Sequence, residues 1–234
     1  MTTTQRATTQ RTTTRTDEYH DQDSEPTANA PDPFRPTGPD QAAAEKPALV
    51  RWTQALERTR VIDRVQEPVH RLAQRLVAEP RNRTMLHGTG WLGHAAHPLL
   101  TDLPLGAWTS STVLDLIGGR RCRPASRRLI AFGVLTAVPT ALTGVAEWAE
   151  TSDRDRRVGF VHALGNSAAL GLYAASWSAR RRDRHAAGVL LSLAGGVVAS
   201  GAGYLGGHLT LARKVASRHP AFRTGDDQAQ TPVG

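Results

Sequence analysis

The sequence predicts an all-α integral membrane protein, a four-helix bundle of bilayer spans with a disordered N-terminal tail. Three observations carry this expectation. Val158 to Ala179 contains no Asp, Glu, Lys or Arg, and at about 1.5 Å per residue it reaches across a hydrocarbon core of about 30 Å. Residues 186–211 are equally free of formal charge. Within these stretches small residues recur every fourth position, as in Gly195, Ala199, Gly203 and Gly207, and Ser167, Gly171, Ala175 and Ala179. Lipid supplies no hydrophobic drive between helices, so small faces that let backbones approach are what a membrane bundle requires. A helix of a small soluble bundle would instead show a polar stripe along its exposed side.

The average composition, 39% hydrophobic with a formal charge of +8, describes an ordinary basic soluble protein, and it conceals these regions. Residues 1–48 are rich in Thr, Pro and charge and poor in aliphatics, too poor to offset the entropy of ordering, so a disordered tail is expected. No apolar stretch follows the basic start, so any membrane anchor is expected to be internal. Residues 49–80 place Leu49, Trp52, Leu56, Ile62, Val65, Val69, Leu72 and Leu76 near helical spacing with arginines opposite, broken at Pro68. This amphipathic segment suits either a membrane surface or the flank of the bundle. No nucleic-acid motif accompanies the charge, and no nucleic-acid partner is expected.

The membrane domain is placed at residues 86–213, with spans at about 98–118, 129–146, 158–179 and 186–211. The first is the weakest, because it carries Asp102 and Asp115 and an aspartate near the centre of a span costs about 2.5–3.5 kcal/mol on insertion scales. Asp115 is expected to pair with Arg120 or a neighbour. Residues 214–234 read as a second disordered tail. The lone Cys122 excludes an internal disulfide and a cysteine-held iron–sulfur cluster in this chain. A multi-pass protein of the cell membrane follows, its lipid bilayer the first partner.

Four spans joined by short loops alternate in direction. One end of the bundle therefore gathers His94, His97 and Asp102, Glu147, Trp148 and Glu150, His162 and Asn166, and Tyr204 and His208; the other end holds two arginine-rich loops. Which end faces the cytoplasm is not fixed by charge, because arginines also flank the histidine end. A short internal match, "HPLLTDLPLGAW" from His97 and "HALGNSAALGLY" from His162, would put the two histidines at one depth if the halves are parallel repeats. Two imidazoles so placed suit axial ligation of haem b. Alternatively, a divalent metal could take the histidines with Asp102 or Glu147 completing the shell. The candidate cofactor-binding residues are His97, His162, His208 and Asp102. Each has a plainer role available: His97 as the start of a helix before Pro98, Asp102 as a cap, His208 and His94 as interfacial side chains, Trp148 as part of an aromatic belt.

"LGHAAHPLLTDLPLGAW", "VGFVHALGNSAALGLYAAS" and "SGAGYLGGHL" resemble the bacterial four-span membrane family called domain of unknown function twenty-two thirty-one, over about residues 86–213. The resemblance implies a four-helix membrane fold with His97, Asp102, His162 and His208 at the family's recurring polar positions. That domain also occurs fused to Rieske iron–sulfur modules, which implies redox work; this chain lacks a Rieske Cys-His motif, so any electron partner would be a separate redox protein. The leading expectation is a non-enzymatic module binding haem b or a metal. A structural or assembly protein and a small proton or solute carrier using Asp102, Glu147 and His162 are the alternatives. Hydrolytic motifs such as a nucleophile elbow, a phosphate loop or a metalloprotease helix are absent from the sequence.

Overall fold

The computed structural model describes residues 46–222; the expected disorder of the tails falls, for residues 1–45 and 223–234, outside the described residues. Three short helices, α1 (Ala48–Arg58), α2 (Val61–Leu76) and α3 (Pro80–His87), precede four long ones, α4 (Ala96–Ile117), α5 (Arg123–Ala149), α6 (Asp153–Arg181) and α7 (His185–Gly207). The chain is an all-α membrane protein. Length and apolar composition qualify the segments Arg120–Ala149, Asp153–Arg181 and His185–Ala212 to cross a bilayer. α4, with His97, Asp102 and Asp115 among its residues, falls short of that measure.

Proline and glycine punctuate the chain as their stereochemistry dictates. Pro80 opens α3 where a missing N–H is harmless, and Gly88 closes it in the left-handed region at φ 80°. α6 carries Asp153 and Asp155 in its first turn and Arg180 and Arg181 in its last, complementing the helix dipole. α2 runs through Pro68, and the expected break falls instead at Thr59–Arg60. Pro68 and Arg64, whose carbonyl loses its helical partner, both lie on the exposed side, so the lost bond is open to solvent.

The bundle is inside out relative to a soluble protein. Its interior holds Ser111, Ser126, Ser176, Ser192, Thr140 and Thr143, while Val197, Ile117, Leu135 and Leu190 are 75%, 81%, 70% and 68% exposed. In water such a surface would be an aggregation site; in lipid it faces its own solvent. α4 packs against α5, α6 against α7, and the two hairpins join through α5 against α6 and α4 against α7. α4 and α6 thus stand diagonally, and large side chains meet between them.

The internal match of the sequence extends into a structural repeat. Trp108 and Tyr173, which end the matching stretches, stack with ring centres 3.9 Å apart and planes within 9°. Each lies over a glycine of the next helix: a Cβ on Gly133 would collide with Trp108, and one on Gly195 would stand 3.1 Å from Tyr173. The buried positions of α5, Ser126, Ile130, Gly133, Thr140 and Thr143, recur in register on α7 as Gly188, Ser192, Gly195, Ala202 and Leu205. Asp115 and Arg180 also occupy equivalent positions, and they pair with each other: two bonds of 2.9 and 2.5 Å join the carboxylate to the guanidinium, both side chains being at most 2% exposed. The expected partner was Arg120 or a neighbour; the pair is instead made by Arg180, which arrives from the diagonal helix.

α1 and α2 lie across the histidine end with their polar side inward. Thr53, Gln66 and His70 are buried there, Asp63 accepts two bonds of 2.8 and 2.7 Å from Arg157, and His70 Nε2 sits 3.1 Å from the carbonyl of Ala149. The Arg157 guanidinium holds the Asp63 carboxyl below its ordinary pKa. The apolar stripe, Val61, Val65, Val69 and Leu72, faces outward. Residues 214–222, expected to start the second tail, turn back onto this end: His94 and Arg218 form an antiparallel bridge, and the Ser217 N–H donates to Glu147 Oε2 over 2.9 Å.

Candidate functional site

His97 stands in the first turn of α4 and His162 about two turns into α6, and the diagonal placement of those helices brings their rings together. The ring centres are 6.3 Å apart and the planes are nearly perpendicular, at 84°. His97 Nδ1 lies 2.9 Å from the carbonyl of Thr140 on α5, and His162 Nδ1 lies 2.7 Å from the carbonyl of Ala202 on α7. A carbonyl only accepts, so each Nδ1 carries the proton. The Asn166 amide nitrogen donates to the His162 carbonyl over 3.1 Å, which fixes which way the amide points. The same nitrogen lies 3.4 Å from His162 Nδ1 and 3.1 Å from Nε2, over the face of the imidazole and not in line with the Nε2 lone pair.

The repeat governs the fit of both rings. A Cβ at Gly144 would stand 2.7 Å from His97 Cε1, and a Cβ at Gly206 would stand 2.7 Å from His162 Cε1. Each imidazole thus lies flat on bare backbone one helical turn beyond the carbonyl that holds it. Both histidines remain part-exposed.

The other expected site residues are not gathered at this pair. Asp102 is exposed. His208 begins a π-helical turn, His208–Ala212, and its Nε2 meets Glu57 Oε1 of α1 at 2.9 Å. Glu147 is engaged elsewhere, and His94 is exposed with Nδ1 3.2 Å from the carbonyl of Ala95. Among the described residues no three of His, Cys, Asp and Glu gather as metal ligands do. The shared His and carboxylate shell expected for a divalent ion does not form, because every carboxylate offered for it either faces outward or already serves another group. Trp148 is not in a surface belt: it is 7% exposed, donates from Nε1 to the Arg156 carbonyl over 2.9 Å, and packs where a Gly159 side chain would otherwise stand.

Sequence reasoning passed over a second polar cluster. His87, 2% exposed, has Nδ1 within 2.7 Å of both Glu147 Oε1 and Ser217 Oγ, and its buried Nε2 has no hydrogen-bond partner. Glu150 Oε1 lies 3.6 Å from that nitrogen and 2.6 Å from Arg83 Nε. Burial pushes the His87 imidazole toward neutrality, but the hydrogen bond and charge of Glu147, with Glu150 behind it, outweigh that and hold its pKa above the ordinary value. The chain spacing of His87, Glu147 and Ser217 carries no local signal. Packing of α3 on α5 brings His87 to Glu147, and the folding back of residues 214–219 adds Ser217.

Fold and site together define an all-α membrane protein made of two related helical hairpins, with a histidine from each meeting near one end. Residues 93–219 match the model of the family described as "Predicted membrane protein (DUF2231)", and the chain belongs to that family. No curated protein and no solved structure matches it.

Proposed function

We propose that this protein is a multi-pass module of the cell membrane, crossing four times, in which His97 and His162 would hold a haem b that passes electrons to a separate redox protein. The observation that carries the reading is the meeting of the two rings, their centres 6.3 Å apart. Two imidazoles from different helices that meet with no carboxylate beside them suit a cofactor held by nitrogen donors alone. Haem, when bound, supplies a one-electron couple whose potential follows its axial ligands and their hydrogen bonds.

The residues of the chain do the rest. The Thr140 and Ala202 carbonyls hold each Nδ1 proton, which leaves Nε2 as the ligand atom and fixes the ring's orientation, the usual outer-shell arrangement for a metal-bound histidine. Gly144 and Gly206 keep the rings in place by leaving no side chain beneath them. Asn166 packs over one face of the His162 ring. Two imidazoles without a carboxylate would suit haem better than a bare divalent ion.

The test is an absorption spectrum of full-length protein purified from haem-replete membranes, oxidised and then reduced with dithionite. A Soret band that shifts on reduction, one haem per chain, and its loss in both His97→Ala and His162→Ala are expected. Stoichiometric protein without a Soret band, or a spectrum unchanged in both variants, refutes the reading. In that case the histidines are clamps between helices, and the protein is a structural or assembly component.

A further inference from the structure

The opposite end of the bundle carries a cavity of about 440 Å³ between the end of α4, the turn Arg120–Cys122 and the start of α7. Its lining divides by chemistry: Arg120, Arg123 and His185 on one side, Ala186, Val189 and Leu190 on the other. Asp115 also borders it, but that carboxylate is fully engaged by Arg180 and by Ser126, which donates to it over 2.7 Å. The His185 ring stands 3.8 Å from it. Among the described residues neither Arg120 nor Arg123 has a carboxylate within ion-pair distance, and Asp183 is the one acid in the two loops, residues 119–128 and 180–184. Two arginines at one mouth, with the nearby Asp115 carboxylate already taken by Arg180, call for an anion.

The position of the cavity selects the anion. It lies at the end of apolar helices, where headgroups meet the hydrocarbon, and its apolar wall continues along α7 as Leu190, Leu193 and Val197, which are 68%, 39% and 75% exposed. These residues share one face of the helix, so the groove runs from a cationic mouth onto a lipid-facing apolar track. A soluble phosphate would use only the first of these; a phospholipid would use both. The N-terminus of α7 adds the positive end of its dipole at the mouth.

We propose that this cavity binds the phosphodiester headgroup of an anionic phospholipid, with Arg120, Arg123 and His185 around the phosphate and an acyl chain along Val189, Leu190 and Leu193. Full-length protein in a neutral detergent is titrated with phosphatidylglycerol, with phosphatidylcholine of the same chains, and with inorganic phosphate, and bound lipid is counted by native mass spectrometry. Phosphatidylglycerol binds one per chain and at least about tenfold tighter than phosphatidylcholine. At about fivefold for each surface arginine, Arg120→Gln with Arg123→Gln weakens it roughly thirtyfold. The same loss of charge at the exposed Arg127 and Arg128, replaced by Gln, changes it less than about threefold. Equal retention of the two lipids, or equal effects of the two double variants, overturns the proposal. Displacement of phosphatidylglycerol by inorganic phosphate at equal concentration assigns the site to a soluble anion and overturns it as well.

Discussion

Replacing Asp115 by Asn removes one charge from the most deeply buried ion pair of the bundle while keeping its shape. Arg180 is 1% exposed at its side chain and spends its donors inside the protein: Nε on Ser176, one terminal nitrogen on Asp115 and Ser126, the other on Asp115 and Ser192. A pair so desolvated adds little net stability over an apolar replacement, since the cost of removing both ions from water offsets their attraction. Breaking it is different, because the remaining guanidinium keeps the desolvation cost and loses the compensation. Asp115→Asn is therefore expected to destabilise by about 3–5 kcal/mol. Arg180→Leu strands the carboxylate and costs a similar amount. The double variant Asp115→Leu, Arg180→Leu recovers most of the loss, giving a coupling energy well beyond the about 0.3–0.5 kcal/mol scatter of independent sites. Reversible unfolding in mixed micelles, followed by helical circular dichroism as SDS is raised, measures all four forms. Single variants within about 0.5 kcal/mol of the parent, or a double variant less stable than either single one, would refute this account.

Gly206→Ala and Gly144→Ala put a methyl within 2.7 Å of an imidazole, so each is expected to push its ring off its carbonyl and cost about 1–3 kcal/mol as overpacking, read by the same unfolding assay. Gly171→Ala, where a Cβ meets nothing within 4 Å, serves as the neutral control. The His87 cluster makes attachment of residues 215–219 pH-dependent. Because the folded His87 pKa lies above its unfolded value, its contribution is full below about 6.5 and is lost as pH rises through the folded value. Amide exchange in residues 215–219 should accelerate from pH 6 to pH 9 beyond the intrinsic rate, and Glu147→Gln should abolish that excess; an unchanged excess in the variant counts against the cluster. Four crossings require cysteines introduced at Gly93, Thr151 and Thr210, in a chain with Cys122 replaced by Ser, to react with a membrane-impermeant thiol reagent from one side only. Labelling of Thr151 from the side opposite to Gly93 would exclude the topology.

Much of the fold was legible in the chain because membrane helices announce themselves locally. Charge-free length, small residues at fourfold spacing and arginine-rich turns are properties of contiguous segments, and the segments Arg120–Ala149, Asp153–Arg181 and His185–Ala212 are long and apolar enough to cross a bilayer. The match from His97 and from His162 likewise pointed to a repeat, because it lies within two continuous stretches. Its counterpart on α5 and α7 was hidden: Gly133 and Gly195, or Gly144 and Gly206, are equivalent only through the rings they support. Asp102 and His208 were grouped with the pair on depth and on family resemblance, and neither says which way a side chain points around a helix.

The sequence by itself determined the solvent and the number of long helices, since hydropathy and length are sums over neighbours in the chain. Tertiary structure alone decided the partners: Asp115 with Arg180, His97 beside His162, His87 with Glu147 and Ser217. The physical reason is that pairing depends on the rotation of each helix about its axis and on which helices stand diagonally. Those are set by how small and large side chains interlock across the bundle, a property of the assembled helices and not of any one of them.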